Sequence, residues 1–213
     1  MKISYVIFAL GLFISNTALA QGTLTAIPSS SDIVIRYADV PIYSQFKDIK
    51  NSRWQKEGCG IASLAMVIDF YKPNTISVAE LLNQAINTGA YLKNIGWKHK
   101  ELSALAGTYG LAEKSYDLGK LSNATAFAQF LDFLKTGPVV VSIHNKFDPK
   151  ATLGHIVVVT GFENNFIYYN DPAETADKKI SVKDFLNGWK KRFIIVREKT
   201  AEPNTRQLSM VKI

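Results

Sequence analysis

The first half of the chain repeats its apolar residues at helical spacing, whereas the second half collects them in short runs. Four apolar residues follow the segment Gly58-Cys59-Gly60 at intervals of three or four and predict a helix that begins near Cys59: Ile61, Leu64, Ala65 and Ile68. Three further helices are predicted over 78–88, 98–109 and 124–135. The first of them begins with a capping box, and each ends near a glycine.

From residue 139 onward the pattern is typical of strands. Short β-branched or aromatic runs predict four of them, over 139–143, 155–160, 166–169 and 193–196. Glu163-Asn164-Asn165 predicts the turn of a hairpin between the second and third runs. Ser181 and Asp184 predict the cap of a short helix that continues to residue 189. Helices grouped before strands indicate an α+β fold rather than a βαβ winding.

The two ends of the sequence differ from the part between them. Residues 1–20 contain Lys2, an apolar stretch and a small-x-small sequence, so we interpret them as a secretory signal cleaved before Gln21. An uncleaved membrane anchor is the competing interpretation. Residues 21–32 are interpreted as a flexible lead-in, 33–200 as one domain and 201–213 as a C-terminal tail. We therefore expect an exported protein, periplasmic or secreted, with no stable membrane insertion after signal cleavage.

Composition narrows the class of protein. The chain has 213 residues, of which 47% are apolar, and this is typical of one globular domain. Its net charge of +7 is spread along the sequence, which favours solubility and does not indicate a nucleic-acid partner. A single cysteine excludes a disulfide within the chain. Because no Cys/His pair has the spacing of metal ligands, we expect no metal or other cofactor.

Cys59 is the first candidate for chemistry. A lone thiol outside the cytosol is open to oxidation, although a buried cysteine can also act as a small hydrophobic residue. The predicted helix start presents unsatisfied N–H groups and a partial positive charge, which stabilise a thiolate. Its two glycine neighbours leave space for a substrate carbonyl. Cys59 is therefore a candidate nucleophile that requires a basic partner.

Three histidines could supply that partner. His99 lies between two lysines at a helix start and is interpreted as solvated, and His144 as a rim or structural residue. His155 opens an apolar strand and is either a core residue or a base. The predicted hairpin brings it beside Asp171, whose carboxylate could orient the imidazole, as in a catalytic triad. Asp171 as a turn residue before Pro172, and Asn170 as the orienting residue, remain alternatives.

Four segments, taken together, resemble the C39-like peptidases, a papain-like cysteine peptidase family of clan CA. Residues 58–71 resemble the cysteine motif of that family, 154–162 its histidine motif, 169–172 its aspartate motif and 40–45 the segment that carries its oxyanion-hole glutamine. The segments occur in the family's order and bracket residues 40–172. The resemblance implies a papain-like fold, with a helical N-terminal part packed on a mostly antiparallel sheet.

The resemblance also implies a role for each matched residue. Cys59 would be the nucleophile, His155 the general base and acid, and Asp171 the residue that orients His155. Gln45 would donate its amide to the oxyanion, alongside the backbone N–H of Cys59. Gln45 lies 14 positions before Cys59, and Gln55 lies only 4 before it. Gln45 is preferred because it follows Pro41 in a Pro-x-x-x-Gln context, and Gln55 is interpreted as a solvated loop residue.

The expected function is an exported thiol peptidase that hydrolyses peptides or proteins through an acyl-thioenzyme. Acyl transfer to an amine is a variant, and a non-catalytic peptide-binding or assembly module on the same fold is the alternative. The expected export signal makes leader cleavage at a transporter unexpected. Two remaining features receive structural interpretations: Lys190-Lys191-Arg192 as a solvated face, and Phe127, Phe130 and Phe133 as core.

Overall fold

The computed structural model describes residues 33–93 and 95–199. The expected signal sequence, the lead-in and the C-terminal tail lie outside the described residues. The helices are α1 Ser52–Gln55, α2 Cys59–Tyr71, α3 Val78–Asn87, α4 His99–Thr108, α5 Asn123–Leu134 and α6 Val182–Gly188. The strands are β1 Ile35–Arg36, β2 Tyr91–Leu92, β3 Gly96–Trp97, β4 Leu111–Asp117, β5 Val139–His144, β6 Gly154–Glu163, β7 Phe166–Asn170, β8 Lys178–Ser181 and β9 Trp189–Glu198.

One antiparallel sheet organises the domain. Its strands follow the order β4-β9-β5-β6-β7-β8, and β1 pairs with the far end of β6. The β2–β3 hairpin forms a separate two-stranded sheet. The turn between β6 and β7 consists of Asn164 and Asn165, both with positive φ (48° and 64°). Asparagine tolerates this conformation, and its twist matches that of the flanking strands, so the predicted hairpin forms.

Helices cover both faces of the sheet. On one face α2, α3 and α4 pack with aliphatic strand residues, among them Val140, Val158 and Ile194. On the other face α5 and α6 bury mainly aromatic side chains, including Phe130, Phe185 and Phe193. Successive residues of a strand point to opposite faces, so strands buried on both sides become continuous apolar runs such as Val139–Val141. The expected α+β fold, with an N-terminal helical part on an antiparallel sheet, is confirmed.

The short elements α1, β1, β2, β3 and β8 were not predicted, and two of the longer strands also differ from the sequence-based expectation. Strand β4 was not expected, because most of its residues are polar and exposed. It forms an edge strand through backbone pairing with β9, and an edge needs only one apolar face. Strand β9 starts at Trp189, four residues before the predicted strand. The extra length contains an irregularity opposite Ser142 and Ile143, which shifts Lys190 and Lys191 out of regular pairing.

Candidate active site

Cys59 is the first residue of α2, and the helix behind it is anchored in the core. All residues from Gly60 to Ile68 are buried. Gly60 contacts the Trp97 ring so closely that a Cβ added there would lie 2.7 Å from its Cδ1 atom. Cys59 itself is partly exposed. The helix therefore presents the thiol, and the unsatisfied N–H groups of its first turn, at the protein surface.

His155 reaches the thiol because α2 packs directly on β6. The buried Ser63 hydroxyl donates a hydrogen bond to the backbone carbonyl of Ile156, at 3.0 Å. This bond joins the first turns of α2 to the residue after His155. The Cys59 side chain lies close enough to the His155 ring to contribute to raising its pKa. The predicted nucleophile and base are thus brought together, although 96 positions separate them in the sequence.

The hairpin places Asp171 on the other side of the imidazole. Its Oδ1 atom accepts a hydrogen bond from His155 Nε2 at 2.7 Å, and both side chains are buried. This leaves Nδ1 as the ring nitrogen that can serve Cys59. The same oxygen accepts a bond from the backbone N–H of Ala173 at 2.9 Å, so Asp171 is also the turn residue that the alternative described.

Asn170 has a different task. Its amide Nδ2 donates to the carbonyl of Val40 at 3.1 Å, and its Oδ1 accepts from the N–H of Asp177 at 2.9 Å. Both ends of the side chain are therefore committed to the backbone. The alternative in which Asn170 orients His155 does not match these contacts.

The surroundings of His155 favour its protonated form. Burial alone would lower the pKa of the imidazole, but the hydrogen bond to Asp171 and the contact with Cys59 outweigh it and raise the pKa from 6.5 to about 10. Burial would raise the pKa of Asp171, yet the bond to His155 and the Ala173 N–H hold it below its ordinary value. At neutral pH the carboxylate and imidazolium forms are therefore both stabilised.

Gln45 is buried beside the residue that precedes Cys59. A Cβ added to Gly58 would lie 3.3 Å from Gln45 Cβ, so this glycine permits the close approach of the Gln45 loop. One hydrogen of the Gln45 Nε2 donates to the carbonyl of Gln55 at 2.8 Å, and the backbone N–H of Gln45 donates to Pro172 at 2.9 Å. The side chain does not itself line the cleft around Cys59.

Gln55 is a bracing residue rather than a solvated one. Its Nε2 donates to the carbonyls of Phe46 and Ile49, both at 3.0 Å. Both amide hydrogens are thereby used within the loop that precedes α2. Gln55 has no N–H left for a reacting oxygen, whereas the amide of Gln45 retains one hydrogen.

Cys59 and His155 lie in the wall of a cleft of about 780 Å³. His99, Lys190 and Arg192, which the sequence analysis interpreted as solvated, also line this cleft. Arg192 is exposed, whereas His99 and Lys190 are half-buried. For Lys190 and Arg192, the signal that could have found them was the basic run at the start of the last strand. Burial, together with Arg192 and Lys190, lowers the pKa of His99 and keeps its ring neutral.

Among residues 33–93 and 95–199, no group of three or more His, Cys, Asp and Glu side chains could hold a metal ion. Within the same residues, every helix is too short or too polar to span a bilayer.

A helix-borne cysteine facing a histidine that is held by an aspartate, on a sheet covered by helices, defines the class of papain-like cysteine peptidases. The family model of the peptidase C39-like family matches residues 37–193. The chain belongs to this family and is a cysteine peptidase.

Three solved structures show the same fold. A protein described as a C39-like peptidase from Bacillus anthracis has a TM-score of 0.58 and 21% identity, covering 80% of this chain and 100% of that one. A double glycine motif protease from an AMS/PCAT transporter, in complex with its leader peptide, has a TM-score of 0.54 and 24% identity, covering 77% and 94%. The peptidase domain of Streptococcus ComA has a TM-score of 0.52 and 22% identity, covering 68% and 93%. No curated protein sequence matches the chain.

Proposed function

We propose that this cysteine peptidase is exported and hydrolyses peptide bonds with Cys59 as nucleophile, His155 as acid and base, and Asp171 as the residue that orients His155. The observation that carries the proposal is the position of His155, which binds Asp171 through Nε2 and contacts Cys59. Neither a small hydrophobic role for Cys59 nor a core role for His155 requires that arrangement.

The first half of the reaction forms an acyl-thioenzyme. The Cys59 thiolate attacks the carbonyl carbon of the scissile peptide bond, and the carbonyl oxygen takes the negative charge. The His155 imidazolium then donates its proton to the leaving amine while the carbon–nitrogen bond breaks. Asp171 holds the ring through Nε2, so that the proton is delivered from the nitrogen facing the sulfur.

The second half of the reaction hydrolyses the acyl-thioenzyme and releases the carboxylic acid. His155, now neutral, accepts a proton from water, and the resulting hydroxide attacks the thioester carbon. The carbon–sulfur bond breaks, the thiolate forms again and His155 is again protonated. The high pKa of His155 suits the resting state, in which the thiolate and the imidazolium are paired.

Two N–H groups are available for the oxyanion. One is the backbone N–H of Cys59, which opens α2 and has no acceptor within the helix. The second donor that we assign is the remaining amide hydrogen of Gln45. Its other hydrogen binds the Gln55 carbonyl, and because the side chain does not line the cleft, it must turn toward Cys59 to reach the oxyanion. Two donors at this oxygen stabilise the charge that develops on it.

Export and the peptide nature of the substrate have separate support. Export is inferred from residues 1–20, with their apolar stretch and small-x-small sequence. A peptide substrate is supported by the AMS/PCAT protease, which was solved with its leader peptide. For this chain we infer a peptide met outside the cytosol.

The proposal is tested with the full chain expressed in a host that processes secretory signals. The recovered protein is expected to begin at Gln21 by mass spectrometry. It is then incubated with a mixture of proteome-derived peptides, and new termini are identified. Cleavage by the wild type that is absent from Cys59→Ser supports the proposal.

Two results would contradict it. Cleavage that persists in Cys59→Ser would remove Cys59 from the reaction. Binding of peptides without cleavage, equally strong in wild type and Cys59→Ser, would assign this chain a binding role. A recovered protein that still carries residues 1–20 would contradict the cleaved signal, without bearing on the chemistry.

A further inference from the structure

The last strand carries an irregularity beside the active-site cleft. Along β5, Ser142 and Ile143 are neighbours, but their partners on β9 are Arg192 and Trp189. Two residues, Lys190 and Lys191, are therefore extra on β9. Lys191 has φ of +55°, which non-glycine residues seldom adopt. Such bulges redirect side chains, and they are frequent next to active sites.

The bulge sends its two lysines in different directions. Lys191 donates from Nζ to the carbonyl of Leu121 at 2.7 Å, which anchors the bulge to the domain. Lys190 extends over Gly154, the residue before His155, where an added Cβ would lie 3.1 Å from its Nζ. The glycine thus leaves room for an ammonium group immediately beside the reacting histidine.

The cleft is positively charged, and part of that charge is unpaired. Its lining contains the cations Lys56, Lys98, Lys190 and Arg192, and the carboxylates Glu57 and Asp117. Arg192 binds Asp117 at 2.8 Å, and Lys98 binds Glu101 at 3.2 Å. Within the described part of the chain, Lys190 forms no ion pair. A partly buried ammonium group without a counter-charge attracts a carboxylate from the ligand.

The mouth of the cleft fits a peptide. Ile95, in the β2–β3 hairpin, and Leu153, in the loop before β6, both line the cleft, with 82% and 71% of their surface exposed. Large apolar side chains exposed at the rim of a cleft favour contact with an apolar part of a ligand. The combined lining is suited to a peptide that has both apolar and acidic groups.

We propose that the cleft selects peptides that present a carboxylate beside the scissile bond, and that the Lys190 ammonium group binds this carboxylate. The proposal rests on the peptidase function proposed above and adds a substrate class to it. The carboxylate can belong to an acidic side chain or to the C-terminus of the peptide. Lys190 then determines specificity, whereas the reaction itself remains with Cys59 and His155.

The first test does not depend on hydrolysis. Cys59 is the single cysteine of the chain, so its alkylation rate can be measured without interference. Anionic iodoacetate and neutral iodoacetamide are compared in wild type, Lys190→Ala and Lys190→Glu, with the exposed Lys183→Ala as control. The ratio of the iodoacetate rate to the iodoacetamide rate is expected to fall about threefold in Lys190→Ala and about tenfold in Lys190→Glu at low salt. A ratio that is equal in all four proteins would overturn the proposal.

The second test uses matched fluorogenic peptides. Each pair differs by Glu against Gln at one position on either side of the scissile bond, and a second series compares free with amidated C-termini. At one position the acidic member is expected to have about tenfold higher kcat/KM, and Lys190→Glu should remove that preference. The series in which the preference occurs identifies the source of the carboxylate.

The two proposals fail in different ways. Peptides that are cleaved without any charge preference would refute the carboxylate proposal and leave the peptidase function intact. If no peptide were cleaved while the alkylation ratio still depended on Lys190, the anion-binding role would stand and the peptidase function would be contradicted.

Discussion

The two walls of the active-site cleft are built by different means. Cys59 stands on a wall formed by one helix, whose position follows from local sequence and from a run of buried residues directly behind the thiol. His155 and Asp171 stand on a wall formed by two strands, and their meeting depends on the register between β6 and β7. Slipping one strand by one residue would turn its side chains to the opposite face of the sheet. The position of Cys59 is therefore set within one helix, whereas the meeting of His155 and Asp171 depends on strand pairing.

The largest effect is expected on the helical wall. Cys59→Ser is expected to lower kcat about 10⁴-fold or more, because a hydroxyl next to this histidine is a much weaker nucleophile than a thiolate. The melting temperature should stay within about 2 °C, since the side chain is partly exposed and little volume changes. Kinetics and thermal unfolding of the same preparation measure kcat and the melting temperature. A drop in stability as large as the drop in activity would mean that Cys59 holds the helix in place.

On the strand wall, Asp171→Ala is expected to lower kcat about 10²- to 10⁴-fold by releasing the ring of His155. Alkylation of Cys59 at pH 6 should slow as well, because the imidazolium loses the partner that raises its pKa. Asp132→Asn is the control, since Asp132 forms a surface ion pair with the exposed Lys135, far from the chemistry in sequence and fold. If the Asp171→Ala enzyme keeps the wild-type rate and the wild-type pH profile, Asp171 serves only as the turn residue before Pro172.

Gln45 and Gln55 form a matched pair in the loop that flanks the helical wall. Gln45→Ala is expected to reduce kcat about 10²-fold, as for the loss of one oxyanion donor, with little change in KM. Gln55→Ala removes two hydrogen bonds to the loop and should lower the free energy of unfolding by about 1 to 2 kcal/mol, with a smaller effect on kcat. Equal kinetic losses in both variants would indicate that Gln45 acts only by bracing the loop.

The strand wall also predicts how stability changes with pH. The pKa of His155 is raised to about 10 in the folded protein from 6.5, so its contribution is fully present below pH 6.5 and is lost as the pH rises toward 10. The free energy of unfolding should fall by at most about 1.4 kcal/mol per pH unit between pH 7 and 9. Urea unfolding at each pH should give a flatter profile for His155→Ala than for the wild type.

Asp171 acts in the opposite range. Its pKa is lowered on folding, so its contribution to stability is present above the ordinary value of 3.8 and is lost as the pH falls through the folded pKa.

One result would contradict the prediction for His155. Identical plots of unfolding free energy against pH for wild type and His155→Ala above pH 7 would show that the imidazole is not held as an imidazolium.

The smallest effect is expected where the two walls meet. Ser63→Ala deletes the buried hydrogen bond from α2 to the Ile156 carbonyl and should cost about 1 kcal/mol of stability. Because the backbone of β6 keeps its strand pairing, kcat should fall less than about tenfold. Chemical unfolding and kinetics of Ser63→Ala measure these two effects. Ser103→Ala, which changes a buried serine elsewhere, is the control. A kinetic loss in Ser63→Ala that matched Asp171→Ala would mean that this single bond determines where His155 lies.

Much of the fold could be predicted because local patterns and global structure agree. Helix α2 begins at Cys59 as predicted, and α3 to α5 begin and end within one residue of their predicted limits, since capping residues and glycines mark those limits. The β6–β7 hairpin follows from its two asparagines. Strand β4 could not be predicted, because an exposed edge strand leaves little apolar periodicity in the sequence.

The sequence by itself determined the class of this protein and the residues that we propose for the reaction, because a nucleophile needs a particular residue type on a particular local element. Cys59 between two glycines at a helix start, and His155 and Asp171 at the two ends of a hairpin, are local patterns of that kind. Only the tertiary structure decided the role of Gln55, the commitment of Asn170 to the backbone and the entry of Lys190 into the cleft. These depend on which distant carbonyls and side chains come within hydrogen-bonding distance, and on a bulge that exists only when β9 pairs with β5. Contacts of this kind arise when distant segments pack together, and the spacing of residues along the chain does not determine that packing.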